Sequence, residues 1–290
     1  MFRGEFLVVL RFRSFLTIAI FALAFSSYAF GQTEATPTPS PSPSPGAVVA
    51  KPAGTATAAK FDPTKVTADQ VIETSLILAY GYGAGRPLLN QIRKTTSERG
   101  KATYTLPDGK KEEATYQKYV IRGESILKEK IRLDQEFPNA RYSLLFNDDK
   151  IVGVFNNTVF TPREDAAKAF ENQIVRGLEA FLRYKENGST VEMGAREKLM
   201  GVDYYMIDVT DKQQRKTRFY VSAKSWRVMM LTYEEGGVKY RRKFYDYNYA
   251  QGTLVPFRTV LWADDKIVEE TEVGTVTFGQ KVDEDMFKVG

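Results

Sequence analysis

Residues 217–288 read TRFYVSAKSWRVMMLTYEEGGVKYRRKFYDYNYAQGTLVPFRTVLWADDKIVEETEVGTVTFGQKVDEDMFK. Runs of aromatic and β-branched residues recur, cut by EGGVK, AQGTLVP and ADDK, which are turn chemistry between segments of strand length. The spacing predicts a meander of antiparallel hairpins. Within the run after Gly237, alternation places Val238, Tyr240, Arg242, Phe244 and Asp246 on one face. Lys239, Arg241, Lys243, Tyr245 and Tyr247 fall on the other.

Upstream the same pattern continues. KATYTL (101–106) and ATYQKYVI (114–121) flank Pro107-Asp-Gly-Lys110, a hairpin turn. SILKEKIRL (125–133) leads through FPNA to RYSLLF, and NDDK turns into IVGVF, all alternating as one sheet with a wet and a dry face. TVEM (190–193) and VDYYMIDV (202–209) resume the strands, the latter forming a hairpin with RKTRFYVS.

Two helical regions interrupt the strands. Thr67-Ala-Asp-Gln70 reads as a capping box, with Val66 and Val71 placed as a hydrophobic staple. The helix 68–80 offers Ile72, Leu76, Ala79 and Tyr80 to a core before Gly81 stops it, and Pro87 opens a second, short helix. Between the strand sets, Thr161-Pro-Arg-Glu164 combines a capping box with proline at the first helical position. A single long helix, 162–184, follows from the stripe Ala167, Phe170, Ile174, Leu178 and Phe181.

The N-terminus is of another kind. Arg11 and Arg13 precede SFLTIAIFALAFSSYAFGQ, and the order of charge, apolar run and small residues reads as a secretory signal over 1–31, cut after Gly31. The alternative is a retained membrane anchor. Residues 32–60 are rich in Pro, Ser, Thr and Ala and read as an extended, disordered linker. One domain, 61–290, remains, and it reads as a monomer.

Composition excludes much chemistry. The chain has no cysteine and no histidine, which removes the usual Cys/His zinc site, the cysteine nucleophile and the histidine base. A net charge of +5 with mixed signs is no nucleic-acid footprint. The glycines of GYGAG (81–85) follow a helix and lack the GK[ST] of a phosphate loop. Ser125-x-x-Lys128 sits in a strand pattern, whereas a nucleophile of that motif opens a helix. Asp148/Asp149, Asp264/Asp265 and Asp283/Glu284/Asp285 fall in turns without the alternating ligands of a calcium loop. Lys239–Lys243 interleaves charge and aromatics as a solvated strand face does, a lipid head group being a less economical partner. No catalytic residue, cofactor or metal is assigned.

From Lys239 onward the order is a basic-aromatic strand ending FYDY (244–247), a glycine turn, a Pro-Phe-Arg strand (256–258) and a late strand closing in FGQKVDEDMF (278–287). With ILAYGYGAGRPLLNQIR and KATYTL upstream, it resembles the periplasmic outer-membrane lipoprotein carriers, the LolA-like family. Departures are Gly279, where that family commonly has Asn, and the extra Pro-rich tract. The family's lid-locking arginine is not assigned to a position. The resemblance implies an α+β fold: a curved antiparallel sheet, an incomplete β-barrel, with helices covering its concave side.

It also implies a non-catalytic envelope carrier that holds acyl chains of a lipid or acylated protein in an apolar cavity. A sensor or structural module of the same fold, binding an envelope protein, is the alternative. Candidate cavity contacts are Phe219 and Val221 on one strand, Met229 and Leu231 on the next, and Phe170 and Ile174 on the helix. The period-2 pattern leaves the choice of strand face open. Met200/Met206 and Met229/Met230 are further candidates for such a lining, against ordinary core packing.

Overall fold

A computed structural model describes residues 66–288; the expected signal (1–31) and linker (32–60) lie outside the described residues. Successive hairpins build β1 (Thr95–Thr105), β2 (Lys111–Ile121), β3 (Lys130–Phe137), β4 (Ala140–Asn147), β5 (Lys150–Phe155) and β6 (Thr158–Phe160). A second set follows: β7 (Thr190–Met193), β8 (Glu197–Leu199), β9 (Val202–Thr210), β10 (Lys216–Ser222), β11 (Val228–Glu235), β12 (Val238–Ala250), β13 (Thr253–Ala263) and β14 (Lys266–Phe278). All join one 14-stranded antiparallel sheet in the order 6-5-4-3-2-1-14-13-12-11-10-9-7, with β8 also on β9. The sheet is curved and does not close, and helices cover its concave side.

The turns explain their own residues. Asp148–Asp149, Asn156–Asn157 and Asp264–Asp265 have positive φ at both positions, the backbone of a tight hairpin turn that Asn and Asp tolerate better than most side chains. The two halves of the meander meet where β1 pairs β14. There the register shifts at Arg99/Gly100, and a Cβ on Gly100 would collide with the Glu272 carbonyl.

The first helix, α1 (Ala68–Ser75), starts at the expected box. Gln70 N–H donates to Thr67 Oγ1 at 3.2 Å, and Thr67 N–H donates to Gln70 Oε1 at 2.9 Å. Over Leu76–Tyr80 it widens into a π-helical turn. Ile72, Leu76, Ala79 and Tyr80 are all buried. A short α2 (Arg86–Ile92) follows and buries Leu89. No helix among the described residues is long and apolar enough to cross a membrane.

Four expectations need correction. The single helix 162–184 is two, α3 (Glu164–Val175) and α4 (Leu178–Leu182). Arg176 closes the first, and Gly177 at ψ −175° is extended, a conformation outside any helix. The break lets both Phe181 and Leu182 become fully buried. Thr161 is exposed and caps nothing, because α3 begins at Glu164 behind Arg163, whose side chain makes no capping bond. Ser125–Leu127 is not strand, since a 3-10 turn over Ile126–Lys128 precedes β3. Finally, Tyr247 does not share the outer face with Tyr245. Asp246, left-handed at φ 51°, re-aims the chain so that Tyr247 turns inward with Phe244, its ring 6.4 Å from that of Tyr80.

Candidate functional site

The concave face of β1, β2, β3 and β12–β14 and the α3–α4 junction line a partly open cavity of about 230 Å³. Its apolar wall includes Val120, Ile131, Leu133, Ile174, Leu178 and Phe244. Alternation positions these side chains: Val120 and Ile131 are cross-strand partners, as are Lys118 and Leu133, and directly opposed residues share a face.

A layer of charge joins the helices to the sheet at this cavity. Glu179, the second residue of α4, accepts from Arg93 Nη1 at 2.5 Å through one oxygen and from Arg122 Nη2 at 2.6 Å through the other. Burial pushes its carboxyl up, but the Arg122 and Arg93 guanidiniums prevail and hold it at about 2. Arg93 is itself fixed by Thr253 Oγ1 and by the Leu254 carbonyl, the latter at 3.0 Å. Beside this group Arg183 pairs with Glu129, both buried. Burial raises Glu129 to about 7 despite the facing guanidinium, and it lowers Arg183. Among the described residues, the Nε of Arg183 has no hydrogen-bond partner. Arg242 reaches Glu269 at 3.4 Å, and Gln173 of α3 donates to the same carboxylate at 2.9 Å.

The sequence-derived contacts divide among three surroundings. Ile174 lies on the cavity wall. Phe170, Phe219, Val221 and Leu231 are in the packed core under the helices, where the Phe219 ring sits 5.3 Å from Phe181. This settles which face of β10 and β11 is dry, because Phe219 and Leu231 are register partners. Met229 does not share that face in the expected way. The register shift pairs Val221 with Val228, leaving Met229 as the extra, unpaired residue of a bulge. The methionine lining is also not realised. Met200 is 95% exposed at a turn, while Met206 and Met230, which flank Tyr220 across the ladder, alternate to the face opposite Phe219.

Sequence reading missed the charged residues of the cavity, although a signal for them existed. Ala114, Tyr116, Lys118 and Val120 share one period-2 face of β2, and Arg122 continues the same spacing one residue past the strand's end. Two cations therefore interrupt an otherwise dry stripe.

No family model matches the chain, and no curated protein matches it. Solved structures do. A LolA superfamily protein from Nitrosomonas europaea is 12% identical with a TM-score of 0.56, over 77% of this chain and 98% of that one. A DUF1329 family protein from Desulfovibrio piger is 11% identical with a TM-score of 0.53, over 68% of this chain and 90% of that one. At such identities the likeness is one of fold, and the fold of this chain is LolA-like.

Proposed function

We propose that this protein is an envelope carrier that holds an acyl chain of a lipid or lipoprotein between sheet and helices, with no chemical step, cofactor or metal. The observation that carries the reading is the cavity of about 230 Å³ with an apolar wall, within a fold shared with a LolA superfamily protein. Export and removal of residues 1–31 would place it in the periplasm or outside the cell.

Size sets how the cavity works. At roughly 30 Å³ per water-sized group, it holds about eight such groups, enough for one short chain. A longer or multiple chain requires α3–α4 to lift, and the continuation of the pocket is then Phe170, Phe219, Val221 and Leu231. The test is native mass spectrometry of protein purified from its own envelope, with binding of a fluorescent fatty-acyl probe. The expected result is co-purifying lipid and probe binding that Ile174→Glu abolishes, because a carboxylate costs several kcal/mol on a dry wall. A wild-type protein that carries no lipid and binds no probe overturns the reading.

One observation favours a second reading, a sensor or structural module that binds an envelope protein. Leu78, Tyr82 and Tyr249 are 58%, 73% and 51% exposed. The two tyrosine rings meet edge-on at 6.4 Å, with Tyr82 held left-handed at φ 47°. Aromatic groups displayed in this way suit a protein contact. Photo-crosslinking from position 82 in the envelope, giving one discrete protein adduct in cells whose protein binds no acyl probe, would establish it instead.

A further inference from the structure

The charges around the cavity are nearly all consumed by one another. Glu179 is held by Arg93 and Arg122, Glu129 by Arg183, and Glu269 by Arg242 and Gln173. Two remain. Glu98 of β1 and Lys118 of β2 both line the cavity, are half-buried, and stand directly opposite each other in the ladder. Opposed residues of unlike charge ordinarily pair. Here, among the described residues, Lys118 makes no ion pair or hydrogen bond, and Glu98 accepts only from the Tyr116 hydroxyl at 2.8 Å.

We propose that Glu98 and Lys118 form the head-group end of the cavity and select a single-chain amphiphile whose head carries both a primary ammonium and a phosphate, that is, a zwitterionic lysophospholipid. The inference rests on the carrier reading and adds the ligand class. A purely anionic head gains Lys118 but meets the Glu98 carboxylate, and a purely cationic head meets the reverse. A head with both charges satisfies both residues, the ammonium donating to Glu98 and the phosphate accepting from Lys118. Selectivity thus comes from the repulsive member as much as from the attractive one. The single chain follows from the cavity volume of about 230 Å³.

The experiment is displacement of a fluorescent fatty-acyl probe by three competitors of equal chain length: lysophosphatidylethanolamine, lysophosphatidic acid and an alkylamine. Lysophosphatidylethanolamine is expected to displace at about tenfold lower concentration than either of the others. Glu98→Gln is expected to improve lysophosphatidic acid, and Lys118→Gln to improve the alkylamine, while each weakens the zwitterion. A merely structural role for either residue would weaken all three together. Water-soluble glycerophosphoethanolamine, which has the head without the chain, is expected not to compete. Equal displacement by all three lipids in the wild type overturns the head-group assignment and leaves the carrier reading intact. Competition by glycerophosphoethanolamine as strong as by its lipid overturns the amphiphile. Failure of the wild type to bind the probe overturns both readings.

Discussion

Arg93 and Glu179 meet at 2.5 Å across 86 residues of sequence, and that contact, shared with Arg122, fastens α4 to the sheet. The folded pKa of Glu179 lies at about 2 against an ordinary 4.5. Its stabilising contribution is therefore fully present above about pH 4.5 and is lost as pH falls toward 2. Glu179→Gln is expected to lower unfolding stability by roughly 2–3 kcal/mol at pH 7. In urea titrations the gap from the wild type should close between pH 4.5 and 2. A gap that stays constant over that range would show that charge is not what Glu179 contributes.

The Glu129–Arg183 pair should behave differently. Both partners are pushed toward neutrality by burial, the mark of an ion pair whose desolvation is poorly compensated. Arg183→Met alone leaves the buried Glu129 carboxyl without its partner and is expected to cost about 3–5 kcal/mol. The double variant Glu129→Leu/Arg183→Met is expected to recover most of that loss, because an apolar pair needs no compensation. Chemical denaturation of the three variants checks this, and an uncorrected loss in the double variant would contradict it.

The two helix starts make a matched control. Thr67→Ala removes the acceptor of the Gln70 N–H and is expected to cost about 1 kcal/mol. Thr161→Ala removes no capping bond and is expected to change stability by less than about 0.5 kcal/mol. Thermal midpoints distinguish them.

Gly100→Ala should be among the most damaging single-methyl additions. The new Cβ meets the Glu272 backbone in the pairing that unites the two strand sets, and backbone cannot swing aside as a side chain can. A loss of roughly 3 kcal/mol or more is expected by denaturation. Gly109→Ala, by contrast, has open space for its methyl group and should cost only the strain of its φ of +82°, about 1 kcal/mol.

The hairpins were legible because their turns and alternation are local. The capping box at Thr67, the stop at Gly81 and the dry stripe of α3 were legible for the same reason. What failed was also instructive. Thr161 carries a capping signature that the chain does not use, and only the geometry after Pro162 decides that. The stripe from Ala167 to Phe181 runs through Gly177 without a local stop signal, so the break there is visible only in the structure. Asp246 and Met229 each upset a period-2 reading through one residue of irregular backbone, which sequence periodicity averages away. Glu98 and Lys118 are legible in β1 and β2 as charges on the cavity face, but that they are left without an ion-pair partner is visible only once the other charges are seen to pair.

The strand order has a mechanical corollary. The sheet ends at β6 on one side and at β7 on the other, and the segment linking those two strands is α3–α4. The helices are thus strung between the tips of the curve like a string on a bow, anchored at both tips and clasped at mid-span by Arg93 and Arg122. Such a string cannot swing away as a flap hinged at one side does. Any displacement of it must bend the chain at Gly177 or change the bow's own curvature, so the helices and both sheet edges are mechanically coupled.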